Sequence, residues 1–123
     1  MMNQNMNQIR ARHVLSFAND PRINVRGQNG GEVVQKVPAS IMNSGLLSTL
    51  AYAMDEKNKG WKCVFDGIAS HLASQEVAFV AEDAATAEGL LKCLTAPNTS
   101  SDKLREVSAE AMAWLDFACR LVK

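Results

Sequence analysis

The chain has 123 residues and balances 13 Lys and Arg against 13 Asp and Glu, so its formal charge is zero. A hydrophobic fraction of 47% with 21% charged residues is typical of a single soluble domain and excludes disorder of the whole chain. The zero balance also excludes binding to nucleic acid or to an anionic membrane through net charge alone, so any such contact must be local.

The spacing of apolar residues is helical along almost the whole chain and predicts an all-α fold, a compact bundle of about five to six helices in one domain. The first helix is predicted over about residues 5–18. Its apolar residues divide between two faces, which carry Met6, Ile9 and Phe17 on one side and Ala11, Val14 and Leu15 on the other. A polar loop with Arg22 and Arg26 is predicted over about residues 19–31.

A helix break near Pro38, either a boundary or a bend, is predicted because proline has no amide hydrogen to continue the helical hydrogen-bond ladder. The helix beyond it has two apolar faces. One face carries Met42, Leu46, Leu50, Ala53 and Met54, and the second carries Ile41, Gly45, Ser48 and Tyr52. Glycine costs roughly 1 kcal/mol relative to alanine inside a helix. Gly45 therefore predicts that another backbone, of protein or ligand, comes close at this position.

Two helices are predicted in the next third of the chain. The first follows a break at residues 58–60 and has an apolar stripe over residues 61–72. The second covers residues 84–94, with Asp83 placed to cap it. The short apolar run at residues 77–81 between them fits either an extension of a helix or a short extended piece.

The clearest prediction is the last helix, over residues 101–122. Its apolar residues fall within about 120° of arc at 100° per residue. They are Leu104, Val107, Ala111, Trp114, Leu115, Ala118, Leu121 and Val122. Thr99 or Ser100 can cap its start, because a hydroxyl at that position accepts a hydrogen bond from an unpaired backbone amide.

Residues suited to catalysis or metal binding are scarce. His13 and His71 do not have the i, i+4 spacing that lets two imidazoles share a metal ion. Cys63, Cys93 and Cys119 are an odd number without a CxxC motif, which argues against a disulfide framework. We therefore expect no metal, no cofactor, no small-molecule substrate and no catalytic residue, so the chain is not predicted to be an enzyme.

Residues 1–8 are rich in Asn and Gln and lack the basic and apolar regions of a secretory signal, and no apolar run is long enough to span a bilayer. We therefore expect a cytoplasmic protein without a membrane partner. Charge is distributed unevenly, because residues 1–36 contain five basic and two acidic side chains. This basic third is compatible with contact to a phosphate chain or with an ordinary solvated surface.

Two motifs resemble those of one known family. Residues 38–52, PASIMNSGLLSTLAY, resemble the P-x-x-I-x-x-N-G-L and T-L-A-F motifs of the small α-helical subunit of Cmr-type CRISPR effector complexes. Residues 110–115, EAMAWL, with Arg120 after them, resemble that family's E-A-L-x-W-L and its following basic residue. Residues 10–11 and 61–72 also fall in the expected order, so the resemblance covers most of the chain.

The resemblance implies a noncatalytic small subunit of a type III-B CRISPR ribonucleoprotein, whose copies stack as a minor filament along guide and target RNA in antiviral defence. The implied partners are the other subunits, further copies of the chain, and both RNAs. RNA would be held through its phosphates and its A-form shape, because pairing with the guide already supplies the sequence choice. The candidate RNA-binding residues are Arg10, Arg12, Arg22, Arg26, Lys57, Lys59 and Lys62. The candidate subunit interface is the face that carries Ile41, Gly45, Ser48 and Tyr52.

Two other interpretations stay open at this point. One is a helical adaptor that binds a protein partner through an exposed apolar face and does not contact RNA. The other is a small metal or redox switch that uses Cys63, Cys93 and Cys119. For each candidate basic residue, ordinary solvation is also compatible with the sequence, and for each two-faced helix both faces can be internal.

Overall fold

The computed structural model describes residues 5–19 and 27–122, and within these ranges it confirms the all-α prediction. Six α-helices and no strand occur there. The helices are α1 (Met6–Asn19), α2 (Gly27–Ser44), α3 (Leu46–Ala53), α4 (Lys59–Ala73), α5 (Ala87–Thr95) and α6 (Ser101–Leu121). Short 3-10 turns at Glu56–Asn58 and Glu82–Ala84 precede α4 and α5. Arg22 and Arg26 lie outside the described residues, while the end of the predicted polar loop, from residue 27, is part of α2.

The helices bury their apolar stripes in one shared core. α1 packs against α6 and α4, α2 packs against α4, α6 and α3, and α5 packs against α4 and α3. Most residues of the stripes predicted for α4 and α6 are buried, with Phe65 and Ile68 on α4 and Trp114 and Leu115 on α6 completely buried. Leu121 of the α6 stripe is an exception, because it is 38% exposed. The rings of Phe17 and Trp114 meet edge to face with their centroids 5.2 Å apart, so α1 completes the core between these two helices.

Pro38 lies inside α2, so no helix boundary occurs at Pro38, and the alternative of a bend there stays a prediction. The missing amide of Pro38 leaves the carbonyl oxygen of Val34 without its usual helical donor. The thiol of Cys119 on α6 donates to that oxygen, with 3.4 Å between Sγ and O. Burial, with a smaller contribution from the charge of Asp116, raises the pKa of Cys119, so the thiol retains the hydrogen that it donates. A contact from another helix thus allows α2 to continue through its proline.

The break occurs at Gly45, between α2 and α3. Gly45 has φ +88°, a conformation that residues with a Cβ rarely adopt, and it occupies the N-cap of α3. A Cβ at Gly45 would meet nothing within 4 Å, so no other described segment packs against the Cα of Gly45, and the predicted close approach of another protein or of a ligand stays a prediction. Because the two helices have separate axes, the predicted faces do not continue across Gly45. Ile41 from the second face is buried, and Met42 from the first is 76% exposed.

The first helix buries residues from both of its predicted faces. Ile9, Val14 and Phe17 are buried, whereas Leu15 is 47% exposed. The helix begins with a capping box, in which the amide of Gln8 donates to the side chain of Asn5 and the amide of Asn5 donates to the side chain of Gln8. One side of α1 faces the core and another side meets solvent within the single chain.

Tertiary contacts change the predicted start of α5. The helix begins at Ala87 rather than near residue 84, and its N-cap is Thr86 rather than Asp83. The hydroxyl oxygen of Thr86 accepts from the amide of Gly89 at 3.0 Å, and Asp66 on α4 accepts from the amide of Ala87 at 2.7 Å. A carboxylate from a neighbouring helix thus satisfies an amide that local sequence alone would leave to a nearby cap.

The two remaining boundaries follow local rules. Residues 77–81 form neither a helix nor a strand, and the amides of Phe79 and Val80 both donate to the carbonyl of Leu72. Ser100 caps α6 by accepting from the amide of Lys103 at 3.0 Å, as one of the two predicted alternatives. Across residues 5–19 and 27–122, no helix offers the uninterrupted apolar length that a bilayer crossing requires.

Candidate functional site

The fold brings together the two histidines that the sequence separates. His13 on α1 and His71 on α4 meet with 2.7 Å between their Nδ1 atoms, and their rings lie edge to face. Glu110 on α6 lies 2.8 Å from Nε2 of His71. Because a carboxylate accepts, these partners assign the ring hydrogen of His71 to Nε2 and leave its Nδ1 as an acceptor. His13 therefore donates to His71 from its own Nδ1.

Arg10 on α1 and Glu110 on α6 form a bidentate ion pair. The Nε and Nη2 atoms of Arg10 donate to the two oxygens of Glu110, each at 2.7 Å, and Nη1 donates to Asn7 at 2.9 Å. The side chain of Glu110 is 4% exposed and that of Arg10 is 19% exposed. All three nitrogens of the Arg10 guanidinium are thus used within the chain.

Glu76, in the turn after α4, forms an outer layer of the same group. It accepts from the guanidinium of Arg12, and its second oxygen lies 3.2 Å from Nε2 of His13. We refer to the six side chains together as the polar cluster. It consists of Arg10, Arg12, His13, His71, Glu76 and Glu110. The cluster fastens α1 to α4, to α6 and to the turn that follows α4.

The cluster shifts the pKa values of its members in defined directions. Burial lowers the pKa of His71, and the hydrogen bond to Glu110 offsets this only in part. Burial alone raises the pKa of Glu110, but the hydrogen bonds from Arg10 and His71 outweigh it, so the net shift is downward. The hydrogen bond from Arg12 lowers the pKa of Glu76. At neutral pH the cluster therefore combines a neutral His71 with two ionised carboxylates.

We expect acid to destabilise the protein in two stages. The pKa of His71 is lower in the folded chain than its ordinary value of 6.5, so the unfolded chain binds the proton first and stability is lost as pH falls below about 6.5. Glu110 and Glu76, whose pKa values lie below their ordinary 4.5, add a second loss below about pH 4.5. Urea unfolding from pH 7.5 down to about pH 3 measures both stages. His71→Gln should flatten the first stage and retain the second, and an unchanged first stage would contradict the assignment.

The arrangement joins three helices, α1, α4 and α6, through hydrogen bonds between side chains. The Nδ1 atoms of His13 and His71 bond to one another, and each ring turns its other nitrogen toward a carboxylate. In the part of the chain that the structure describes, no three His, Cys, Asp or Glu side chains are arranged to hold a metal ion. The three cysteines lie half-buried on three different helices, α4, α5 and α6.

Sequence reasoning missed the carboxylates of this cluster, although Glu110 carried a signal. Glu110 follows Val107 by three residues and precedes Trp114 by four, so it lies within the apolar stripe of α6. A carboxylate at such a position requires a buried cationic or hydrogen-bonding partner. No comparable signal marks Glu76, which is exposed and reaches α1 only through the turn after α4.

The predicted RNA-binding residues separate into different surroundings. Arg10 and Arg12 belong to the polar cluster. Lys57, Lys59 and Lys62, which we call the lysine group, are exposed around the start of α4 and form no ion pair within the described part of the chain. The N-cap of α4, Asn58, makes no side-chain hydrogen bond to the first turn of the helix.

Three of the four predicted interface residues lie at the surface. Ile41 is in the core, whereas Gly45, Ser48 and Tyr52 are exposed. Tyr52 is 53% exposed, and its ring meets that of Trp61 edge to face with centroids 5.1 Å apart. The two rings border a cavity of about 260 Å³, which we call the aromatic notch. The notch is lined by Ser40, Ser44, Ser48, Thr49, Tyr52 and Trp61.

The fold and these surfaces define a small all-helical protein, in which a polar cluster fastens the helices while the lysine group and Tyr52 face outward. The family model described as CRISPR-associated protein (Cas_Cmr5) matches residues 6–123. The chain belongs to this family, the small structural subunit of the Cmr complex, and is therefore a component of a CRISPR effector complex with other subunits. No curated protein and no solved structure matched the chain. The family resemblance drawn from residues 38–52 and 110–115 is confirmed.

Proposed function

We propose that this chain is a noncatalytic subunit of a type III-B ribonucleoprotein that stacks as a minor filament along guide and target RNA and contacts the RNA through phosphates. The family match supports membership of the complex. The observation that carries the RNA contact is the lysine group, in which Lys57, Lys59 and Lys62 extend into solvent without an ion pair to any described residue.

The lysine group suits phosphates for two reasons. An ammonium on a long flexible side chain binds phosphate oxygens as a point charge and does not select a base sequence. The lysine group lies around the N-terminus of α4, where the unpaired backbone amides carry the positive end of the helix dipole. Asp55 and Glu56 reduce the local charge, but the carboxylate of Asp55 already accepts from the amide of Lys57 at 3.0 Å.

The same reasoning assigns Arg10 to the fold rather than to RNA. Its guanidinium nitrogens are already bonded to Glu110 and Asn7, so contact with a phosphate would have to break buried hydrogen bonds. Arg22 and Arg26 lie outside the described residues and remain part of the proposed RNA surface. An arginine guanidinium can donate two parallel hydrogen bonds to the oxygens of one phosphate.

We propose that stacking uses the exposed surface at the end of α2. Met42 is 76% exposed, and Gly45, three residues further along the chain, has no side chain to keep a neighbour away. A groove of about 400 Å³ separates this junction from Leu104 and Arg105 on α6. A methionine beside a shallow groove is adaptable enough to pack against another copy or against a different subunit.

Replacing Lys57, Lys59 and Lys62 together with Ala should weaken the affinity of the reconstituted complex for complementary target RNA and reduce its salt dependence. Each lost phosphate contact removes about 0.7–0.9 from the slope of log K against log salt, so three contacts should remove about two. Fluorescence anisotropy between 50 and 200 mM salt measures both the affinity and the slope.

A charge-matched control replaces Lys92, Lys103 and Arg120 with Ala. Each of these side chains lies near a carboxylate on its own helix, and their removal lowers the net charge by the same amount. Equal losses in the two triple variants would contradict a local contact. Unchanged affinity and slope in both the lysine triple and an Arg22→Ala, Arg26→Ala variant would contradict RNA contact and favour a purely protein-binding adaptor.

A further inference from the structure

The break at Gly45 gives the aromatic notch its shape. Because α2 ends at Ser44 and α3 begins at Leu46 on a new axis, hydroxyls from both helices border one cavity. Inside it the hydroxyls of Ser40 and Thr49 lie 3.0 Å apart, and that of Thr49 donates to the carbonyl of Gly45. The cavity is open to solvent, and its volume of about 260 Å³ can hold one planar heterocycle but not a folded peptide element.

Tyr52 is held in position at the rim of this cavity. Its ring contacts Trp61 on α4, and its carbonyl accepts from the side chain of Asn58 at 2.8 Å. About half of the tyrosine surface nevertheless remains exposed. An aromatic ring that packs against a neighbouring ring and is still half exposed can stack with a base, and it loses little conformational entropy on binding.

The lysine group lies in the same stretch of chain as the rings. Lys57 and Lys59 precede Trp61, and Lys62 follows it directly. Lysine is depleted from the cores of protein interfaces, whereas aromatic rings combined with basic side chains are the usual means of holding single-stranded nucleic acid. The charge beside the notch therefore favours a nucleotide over a protein neighbour, in contrast to the interface role that the sequence suggested for Tyr52.

We propose that the aromatic notch binds one unpaired RNA base, stacked on Tyr52, while the lysine group holds the adjacent phosphates. The hydroxyls of Ser44 and Ser48 at the rim supply donors and acceptors to the edge of the base. This inference rests on the RNA contact proposed above and adds a specific mode, the capture of a base that the guide–target duplex leaves unpaired.

Variants of Tyr52 in the reconstituted complex test the stacking contact. Tyr52→Leu should weaken affinity for target RNA about tenfold and leave the salt slope unchanged, because stacking involves no counterion release. Tyr52→Phe keeps the ring and should bind like the parent. Parent-like affinity of Tyr52→Leu would overturn the inference, and so would a loss of copurification with the other subunits, which would make Tyr52 a protein contact.

Photocrosslinking distinguishes failure of this inference from failure of the proposed function. RNAs that carry 5-iodouridine at one position each should crosslink to Tyr52 at particular positions, and Tyr52→Leu should abolish the adduct in the digested peptide. If the lysine triple variant reduces the salt slope but no position crosslinks to Tyr52, the base inference fails and the phosphate contact stands. If the lysine triple, the Arg22→Ala, Arg26→Ala variant and Tyr52→Leu all leave RNA binding unchanged, both fail.

Discussion

Glu110→Ala should lower the free energy of unfolding by about 3 kcal/mol, because it removes one partner of a buried ion pair. The Glu110 side chain is 4% exposed, and its loss leaves the Nε and Nη2 hydrogens of Arg10 and the Nε2 hydrogen of His71 without their acceptor. In a chain of this length, a loss of that size corresponds to a thermal midpoint about 10 °C lower. Calorimetry or urea unfolding of the purified chain measures it.

A control on the same helix separates burial from charge. Glu106 on α6 is exposed, and its carboxylate lies 3.9 Å from Lys103, so Glu106→Ala should change stability by less than about 0.5 kcal/mol. Arg10→Ala and the double variant complete a cycle that isolates the coupling between Arg10 and Glu110. Equal stability losses in Glu110→Ala and Glu106→Ala would contradict the central position of Glu110 in the polar cluster.

Local patterns were sufficient to predict α4 and α6. Their apolar residues recur at helical spacing on one face, and the face that the spacing selects is the one that is buried. Ser100 caps α6 within three residues of its partner amide, so that boundary needs no information from the rest of the fold. Elements whose contacts lie within one or two turns are thus readable from sequence.

The α2–α3 region required information that lies elsewhere in the chain. Pro38 signals a break by local rules, but the thiol of Cys119, on another helix, donates to the carbonyl that Pro38 leaves unpaired. Gly45 marks the real break because its backbone is left-handed, whereas glycine inside a helical pattern by itself indicates only a modest cost. Because the helix ends at Gly45 and not at Pro38, Ile41 lies in the core and Met42 lies at the surface.

The polar cluster is the least predictable feature, because its members meet only in the folded chain. His13 and His71 are 58 residues apart, and His71 and Glu110 are 39 apart. Nothing in the spacing of two isolated histidines indicates that their rings meet. The lysine group and the Tyr52–Trp61 pair, in contrast, lie within one short stretch of chain, so candidates for a surface contact were visible before the structure.

Gly67→Ala should destabilise the protein by about 2 kcal/mol, although alanine is the better helix former. A Cβ at Gly67 on α4 would lie 2.4 Å from Cδ1 of Phe17 and 3.1 Å from Cη2 of Trp114. Both rings are buried, so we expect overpacking to outweigh the roughly 1 kcal/mol that alanine gains in a helix interior. Thermal unfolding measures the loss, and Ser70→Ala, at an exposed position of the same helix, should show no loss.

A compensating variant tests the cause of the Gly67 effect. Phe17→Leu makes space at the contact, so the double variant with Gly67→Ala should be more stable than the sum of the two single losses. Additive losses would contradict the clash. Because the close approach at Gly67 joins the same two helices that bring His13 within 2.7 Å of His71, Gly67→Ala should also flatten the pH dependence of stability below about pH 6.5. Glycine at position 67 thus allows α1 and α4 to pack closely enough for the His13–His71 contact of the polar cluster.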